Sequence, residues 1–408
     1  MKTFSLSRRV LLGIGLCVLV VLGGAATAAV QDTCGPFTDV SAAICPYVLE
    51  MYDLGITAGT SATTFSPNQP MTRGQAAVFV SKGVNQAIAR SSRRAALGQW
   101  WTPKESPWHS GLGITPLPGG GPLFTYAPVV CDGQDVWIAE DDSIFRVRAS
   151  DGKLLETWTT VKSSSAILVA MGRVFAVAFD PFNPNTGTLS MIDPAQPAGA
   201  ATVVASGLPS QAVALAFDGA RIWATDPSGF LSIITPTAAT PWATTVVTGF
   251  PAPAGIVFDG SNMWITDAGT QGSCHLFKLN SSAAVLQTVT LAFPCYNSQL
   301  AFDGSNVLAP NGGVLQVVRV SDGVLIATIP VNGSAVRVAF DGERILILVT
   351  SGQTPPPSLA ILRAADLSTI QVEYSPFNSW PYPFDAASDG VSFWITIRSG
   401  DGFALARY

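Results

Sequence analysis

One short phrase recurs from Cys131 to the carboxyl-terminal part of this chain. It consists of a usually apolar residue, Asp, Gly, two variable positions, a second apolar residue and, in most copies, Trp. Its six clear copies begin at Cys131, Phe217, Phe258, Phe302, Phe340 and Ser388. A degenerate copy runs from Val169 to Phe175. The glycines therefore stand at positions 133, 172, 219, 260, 304, 342 and 390, which are 38 to 48 residues apart.

A repeat of about 40 residues with four short strands is typical of one blade of a β-propeller. In the fourth repeat, apolar runs separated by turn residues predict four strands, at Ala254–Phe258, Met263–Thr266, His275–Leu279 and Ala284–Thr290. The fold class is therefore predicted to be mainly β, with a seven-bladed β-propeller over residues 110–408.

The repeated phrase itself is predicted to be structural. Its glycine tolerates the positive φ that tight hairpin turns require, so the Asp-Gly pair should form the first hairpin of each blade. The apolar residue before Asp and the Trp after Gly are both expected to point into the gap between blades. Each Asp stands alone at its turn, whereas a calcium loop needs several oxygen ligands. The phrase therefore predicts packing rather than a metal site.

The last repeat is one strand short, because it offers only three apolar runs between Ala386 and Tyr408. Residues 111–125 precede the first repeat without belonging to it. We expect this segment to supply the missing outer strand of the last blade, since such closure removes a free sheet edge.

The composition restricts the partners of the chain. Charged residues make up only 12% of it, and its net charge is −5. Residues 1–28 carry Lys2, Arg8 and Arg9 and no acidic residue, so their removal lowers the net charge to −8. Nucleic acid and anionic membranes bind basic surfaces, so neither is expected as a partner.

The amino terminus has the pattern of an export signal. Its basic residues precede an apolar stretch, Val10–Leu22, and an Ala26-Thr27-Ala28 cleavage site. Both the general secretory route and the twin-arginine route are open, because Arg8 and Arg9 are adjacent. No later segment is long enough for a transmembrane helix. The mature protein is therefore predicted in the periplasm, at the cell surface or outside the cell.

An exported chain can keep disulfides. Proximity along the sequence suggests two pairs, Cys34 with Cys45 and Cys274 with Cys295. The remaining cysteine, Cys131, stands where four other repeats have Phe, so it is predicted to be a small buried hydrophobic residue.

Residues 33–88 form a different, helical unit. An apolar-periodic stretch predicts one helix over Ala42–Leu54, ending at Gly55, and a second over Gln75–Ala89. Thr72 and Gln75 have the spacing of a capping box at the start of the second helix. Residues 89–109 are predicted to be a linker.

This unit resembles one S-layer homology (SLH) repeat. The matching segments, in order, are FTDV, DLGITAG, TFSPNQPMTRGQ and AAVFV. The resemblance implies attachment to the cell envelope through wall polysaccharide or peptidoglycan. It places the polymer contact at Thr72, Arg73 and Gln75, where helix N–H groups and a guanidinium favour an anion. A second interpretation stays open, in which the unit is a small helical cap packed on the propeller.

The loops that differ between repeats are the predicted recognition surface. We call the end of the propeller that carries the connections from second to third strand, and from fourth strand to the next repeat, the loop face. Its candidate binding residues are Phe182, Asp226, Asp267, Tyr296, Phe377, Trp380 and Tyr382. Exposed aromatic residues on rigidly held loops suit a protein, peptide or glycan partner. Local packing of the loops against themselves is the equal alternative.

The repeats also resemble NHL- and YVTN-type propellers, whose members include lyases and lactonases. The chain contains only His109 and His275, and no metal-spaced cluster or catalytic triad is visible. A non-enzymatic binding or scaffold protein without cofactor or metal is therefore the leading prediction. A periplasmic propeller enzyme of lyase or lactonase type is the alternative.

Overall fold

The computed structural model describes residues 34–53, 56–89, 114–118, 127–161, 163–179, 186–209, 212–269, 274–292, 299–350, 358–374, 383–399 and 402–408. The predicted export signal, and all of the predicted linker after Ala89, lie outside these ranges. The chain forms two compact units, Met1–Gln86 and Ala87–Tyr408. Among the described residues, no helix is long and apolar enough to cross a membrane.

The amino-terminal unit contains the helices α1 (Cys45–Asp53) and α2 (Arg73–Ala89). Helix α1 begins three residues later than predicted, because the carbonyl of Ser41 accepts the N–H groups of both Ile44 and Cys45 and holds the preceding segment in a turn. Helix α2 begins directly after Thr72, two residues earlier than predicted.

Among the described residues, the core of this unit consists of the buried residues Cys34, Phe37 and Val48, with Phe65 among their partly buried neighbours. The Phe37 ring meets the Tyr52 ring edge to face at 5.4 Å between centroids. A disulfide joins Cys34 to Cys45, with 5.4 Å between their Cα atoms, and confirms that predicted pair.

The described part of the second unit contains seven antiparallel sheets of four strands each. We number them 1 to 7 in the order of the repeats along the chain. Sheet 1 contains β2 (Val129–Cys131), β3 (Asp135–Glu140), β4 (Ser143–Arg148) and β5 (Leu154–Thr159), and sheet 2 contains β6 (Ser164–Ala170), β7 (Arg173–Ala178), β8 (Gly187–Ile192) and β9 (Thr202–Leu208). Sheet 3 contains β10 (Ala214–Phe217), β11 (Ile222–Asp226), β12 (Phe230–Thr235) and β13 (Ala243–Thr248). Sheet 4 contains β14 (Pro253–Phe258), β15 (Met263–Asp267), β16 (Cys274–Leu279) and β17 (Val285–Leu291).

Sheets 5 to 7 continue the same order. Sheet 5 contains β18 (Ala301–Phe302), β19 (Asn306–Asn311), β20 (Val314–Arg319) and β21 (Leu325–Pro330). Sheet 6 contains β22 (Ser334–Phe340), β23 (Arg344–Thr350), β24 (Ser358–Arg363) and β25 (Thr369–Tyr374). Sheet 7 contains β26 (Pro383–Ser388), β27 (Phe393–Ser399), β28 (Gly402–Arg407) and β1 (Ile114–Pro116). The four strands predicted in the fourth repeat agree with β14 to β17 within one residue at every end.

The predicted closure of the last sheet is confirmed. Strand β1 pairs with β28, with Ile114 opposite Ala406 and Pro116 opposite Ala404. The amino-terminal side of the unit thereby completes a sheet whose other three strands come from the carboxyl terminus.

The sheets pack on one another in chain order, as in a propeller. Apolar clusters lie between consecutive sheets, and one joins sheet 7 back to sheet 1 through Trp394, Leu405, Val129 and Val136. The hydroxyl of Thr396 in sheet 7 also donates to the Ala127 carbonyl beside sheet 1 at 2.7 Å. The arrangement is therefore a closed ring of sheets.

The Asp of each repeated phrase holds its hairpin together. Its Oδ1 accepts the N–H groups two and three residues later, at 2.6–2.9 Å in all six clear copies. Its Oδ2 accepts the indole N–H of the Trp five residues later, at 2.7–2.9 Å in four copies. The glycines have φ between +84° and +101°, as the turn prediction requires. Asp and Trp are thus one bonded unit.

The two apolar residues of the phrase point to opposite gaps, which corrects the prediction that they share one. In sheet 3, Ala216 stands opposite Trp223 and Phe217 opposite Ile222, so Phe217 and Trp223 lie on different faces of the sheet. Phe217 packs with the cluster shared with sheet 2, and Trp223 with the cluster shared with sheet 4. Each phrase therefore contacts both neighbouring sheets.

The remaining cysteines take different positions. Cys131 is half-buried beside the cluster between sheets 7 and 1, so it fills the Phe position of its repeat, although it is less buried than predicted. Cys274 is disulfide-bonded. Its predicted partner, Cys295, lies outside the described residues, and that pairing stays a prediction.

Candidate functional site

The start of helix α2 is closed by a reciprocal cap. The backbone N–H of Thr72 donates to Gln75 Oε1 at 2.9 Å, and the backbone N–H of Gln75 donates to Thr72 Oγ1 at 3.2 Å. This confirms the predicted capping box. Both polar side chains act in the cap, and the neighbouring Arg73 is exposed, so its guanidinium is accessible at this helix start.

A carboxylate fixes the loop that precedes α2. Asp39 Oδ1 accepts the N–H of Phe65 at 2.8 Å, and Oδ2 accepts the N–H of Ser66 at 2.7 Å. These bonds, led by that from Phe65, hold the pKa of Asp39 below its ordinary value. Asp39 belongs to the FTDV segment, but the sequence alone does not reveal this role, because its partners are 26 and 27 residues away.

An exposed cluster of hydroxyl groups lies on the same loop. Thr60 Oγ1 is 2.7 Å from Ser66 Oγ, and Ser61 Oγ is 2.6 Å from Thr64 Oγ1. Hydroxyl groups both donate and accept hydrogen bonds, so this surface can bind the hydroxyl and amide groups of a sugar polymer.

The second candidate site is a cavity of about 60 Å³ in the ring of sheets. We call β2, β6, β10, β14, β18, β22 and β26 the inner strands, because each lies at one edge of its sheet. Residues in or directly before all of them line this central cavity, among them Pro128, Ser165, Ala214, Gly255, Gln299, Arg337 and Asp385. They stand at the beginnings of the inner strands, where the connections from the preceding fourth strands arrive. The central cavity therefore belongs to the loop face.

An ion pair occupies one wall of the central cavity. Arg337 Nε lies 3.4 Å from Asp385 Oδ1, and the two side chains are 21% and 5% exposed. Asp385 Oδ2 also accepts the backbone N–H of Val129 at 2.9 Å. Asp385 thus connects sheets 6, 7 and 1.

The environment of Asp385 changes the pKa of its carboxyl group. Burial raises its pKa to about 6, although the charge of Arg337 and the N–H groups of Val129 and Ala386 act in the opposite direction. Buried titratable groups in a cavity often mark functional sites. The pair is therefore ionised at neutral pH and loses the carboxylate charge in mildly acidic solution.

Two of the predicted loop-face residues lie within the described ranges. Asp226 and Asp267 are buried at the ends of second strands, where they accept the N–H groups of Ser228 and Gly269 at 2.8 and 2.7 Å. Asp267 also accepts the N–H of Ala252 at 3.1 Å. They hold turns on the loop face, and neither lines the central cavity. The other candidates lie outside the described residues: Phe182, Tyr296, Phe377, Trp380 and Tyr382.

Sequence reasoning missed Arg337 and Asp385, although a signal was present. Both are single charged residues inside otherwise apolar inner strands, in the segments SAVRVAF and PFDAAS. In a chain with 12% charged residues, such positions are uncommon and could have been singled out. Among the residues that the structure describes, no group of three or more His, Cys, Asp or Glu side chains could hold a metal ion.

Comparison with known proteins identifies the amino-terminal unit. Residues 36–77 match the S-layer homology domain. An endoglucanase of Bacillus sp. (strain KSM-635) is 33% identical over 82 residues, which are 20% of this chain and 9% of the endoglucanase. That similarity is confined to the S-layer homology region. The chain thus spans about a tenth of the curated relative's length, and the domain points to a cell-surface or envelope-associated location.

Solved structures resemble the larger unit in fold alone. A chain in the crystal structure of the mitotic checkpoint complex has a TM-score of 0.58 and 10% identity, covering 75% of this chain and 96% of that one. The computationally designed Ika8 protein has a TM-score of 0.50 and 11% identity, covering 73% of this chain and all of that one.

Proposed function

We propose that this protein is an exported binding or scaffold protein that is attached to the cell envelope by its S-layer homology domain. The match of residues 36–77 to that domain carries the proposal. Wall polysaccharide or peptidoglycan is the proposed polymer. The acidic balance of the chain argues against nucleic acid as the partner.

Attachment is proposed to occur at the start of α2. The reciprocal Thr72–Gln75 cap fixes the first turn of the helix. The positive end of the helix dipole and the guanidinium of Arg73 then favour an anionic group of the polymer. The Thr60–Ser66 hydroxyl cluster supplies neutral contacts to the sugar units.

The larger unit is proposed to be a seven-bladed propeller that presents its loop face to a protein, peptide or glycan. The seven sheets and the cavity lined from all their inner strands support this arrangement. Its NHL- or YVTN-like type stays a prediction. We propose binding rather than catalysis as its role, and a chelator-sensitive activity would favour the lyase or lactonase alternative instead.

Sedimentation with purified cell-wall sacculi tests attachment. The mature chain should pellet with sacculi, and parallel sacculi stripped of covalent polysaccharide tell polysaccharide from peptidoglycan binding. Arg73→Gln should weaken pelleting by about tenfold, the effect of losing one charge-assisted contact. Arg363→Gln, which removes the same charge from an exposed propeller position, is the matched control. A mature chain that stays in the supernatant with both kinds of sacculi would sink the attachment proposal.

A further inference from the structure

We propose that the central cavity binds the carboxylate group of a small organic acid, with Arg337 as its cationic partner and Asp385 as a second contact. The inference rests on the proposed recognition role of the loop face, and it names the chemistry recognised there. No relative or domain match assigns a ligand to this position.

The cavity has the composition of a built site. Its wall consists mainly of Ala, Val, Ile, Pro and Phe residues, and its two charged side chains stand together on one side. Removing a charge from water is costly unless partners compensate. A pair held among apolar residues, at a point where all inner strands converge, therefore suits recognition of a polar group more than general stability.

The guanidinium of Arg337 makes the cavity selective for an anionic group. Arg337 donates Nη1–H to the Val336 carbonyl at 2.9 Å, and its Nε lies 3.4 Å from Asp385. That second distance is longer than the roughly 2.7–2.9 Å of a good charge-assisted bond. The planar fork of Arg fits a carboxylate in two parallel hydrogen bonds. An incoming carboxylate can therefore replace Asp385 at the guanidinium.

The volume limits the size of the bound group. The cavity volume of about 60 Å³ is several times the roughly 10–15 Å³ that one enclosed water molecule needs. This accommodates a carboxylate with a very small substituent, while any larger part of the ligand extends from the cavity toward the loop face.

The exchange takes up one proton. Among the described residues, three groups contact the Asp385 carboxylate: the Arg337 guanidinium from β22, and the backbone N–H groups of Val129 from β2 and of Ala386 from its own strand. When the ligand anion takes the guanidinium, Asp385 loses its counter-charge and faces a second anion. It then binds a proton from solvent and donates this O–H to the ligand carboxylate, so no covalent bond between heavy atoms changes.

Acetate is the probe, and acetamide, which has the same shape without the charge, is its control. Titrations of the full mature chain, followed by saturation-transfer NMR of the methyl group, should give saturable acetate binding with a dissociation constant on the order of 1–10 mM. Because the pKa of Asp385 is about 6, affinity should rise about 20-fold from about pH 7.5 to about pH 5.5. Acetamide should not bind.

Three substitutions separate ligand binding from structure. Arg337→Gln should weaken acetate binding about tenfold or more, and Arg337→Lys, which keeps the charge without the fork, should weaken it less. Asp385→Asn should retain binding and lose most of its pH dependence. Arg344→Gln is the matched control, since the Arg344 and Arg337 side chains are 22% and 21% exposed and Arg344 does not line the cavity.

The proposal is overturned if wild type shows no saturable acetate binding up to about 100 mM. Equal binding of acetamide, or equal losses in Arg337→Gln and Arg344→Gln, would also overturn it. The same preparations are sedimented with sacculi, so failure of wall attachment and failure of carboxylate binding appear as separate results.

Discussion

The two units of this protein both use an aspartate to hold a turn, and they do so over very different distances along the chain. In sheet 4, Asp259 binds the N–H groups of Ser261 and Asn262 and the indole of Trp264, all within five residues. In the amino-terminal unit, Asp39 binds N–H groups 26 and 27 residues away. The propeller thus repeats a local clamp, whereas the smaller unit depends on one long-range clamp.

The hydrophobic cores of the two units also differ. Apolar clusters join each sheet to the next around the ring. The core of the amino-terminal unit is built on three buried residues among those described. Loss of one side chain should therefore unfold the small unit more readily than the large one, while loss of a whole strand should be needed to open the ring.

The largest expected effect follows deletion of Ala404–Tyr408. This deletion removes most of β28, which pairs with both β1 and β27 and buries Leu405 and Ala406. We expect the cooperative calorimetric transition of the propeller to disappear or to fall strongly in temperature. Leu325→Ala, on the exposed outer strand β21, is the comparison and should leave that transition almost unchanged. An unaltered melting temperature after the deletion would show that the β1–β28 closure does not stabilise the ring.

The next largest effect is expected from Phe37→Ala. Phe37 is 1% exposed and contacts both Tyr52 and Phe65. Truncating a buried Phe costs about 3–5 kcal/mol, which is enough to unfold a unit with so small a core. Calorimetry should show the transition of the small unit lost and that of the propeller kept. Tyr47→Ala, at a 65% exposed aromatic in the same unit, should leave both transitions in place.

A smaller effect is expected from loss of the local clamp, in which the Asp of a repeat binds its own turn and Trp. The charge-assisted bond from Trp264 to Asp259 should give a coupling of about 1–2 kcal/mol in a double-mutant cycle of Asp259→Ala and Trp264→Phe. The fifth sheet supplies the control, because Leu308 stands where Trp would be and has no donor for Asp303. A cycle of Asp303→Ala and Leu308→Ala should give a coupling near zero. Equal couplings in the two cycles would mean that the indole bond adds nothing.

The smallest expected effect is an acid dependence of the long-range clamp. The pKa of Asp39 is lowered in the folded protein, chiefly by the Phe65 N–H. Its contribution to stability is therefore present above the ordinary pKa of 3.8 and is lost as pH falls through the lowered value. Thermal melts of the small unit in acid should show wild type losing stability over this range and Asp39→Asn losing less. If the two proteins lost stability equally over this pH range, the Asp39 carboxylate would not stabilise the small unit.

The same contrast explains what the sequence could reveal. The hairpins, the four strands of sheet 4 and the closure by β1 were predictable, because each depends on local turn chemistry or on a repeat that lacks one strand. The Thr72–Gln75 cap was predictable for the same reason. The opposite orientations of Phe217 and Trp223 required the strand register, which the phrase alone does not contain.

The candidate sites were harder to predict. Asp39 pairs across the loop before α2, and Asp385 meets Val129 across 256 residues. The Asp39 contacts form only when the smaller unit folds, and the Asp385–Val129 contact forms only when the ring closes and brings distant strands to one axis. Asp226 and Asp267 hold turns on the loop face, a use that their position near loops did not reveal, and their binding role stays a prediction.

The most direct test of the division between attachment and recognition uses Phe37→Ala in the full mature chain. We expect this variant no longer to pellet with sacculi, because its S-layer homology domain is unfolded, and still to bind acetate with wild-type affinity. Pelleting at the wild-type level by a variant whose small unit has lost its calorimetric transition would contradict the account, since attachment would then reside in the propeller.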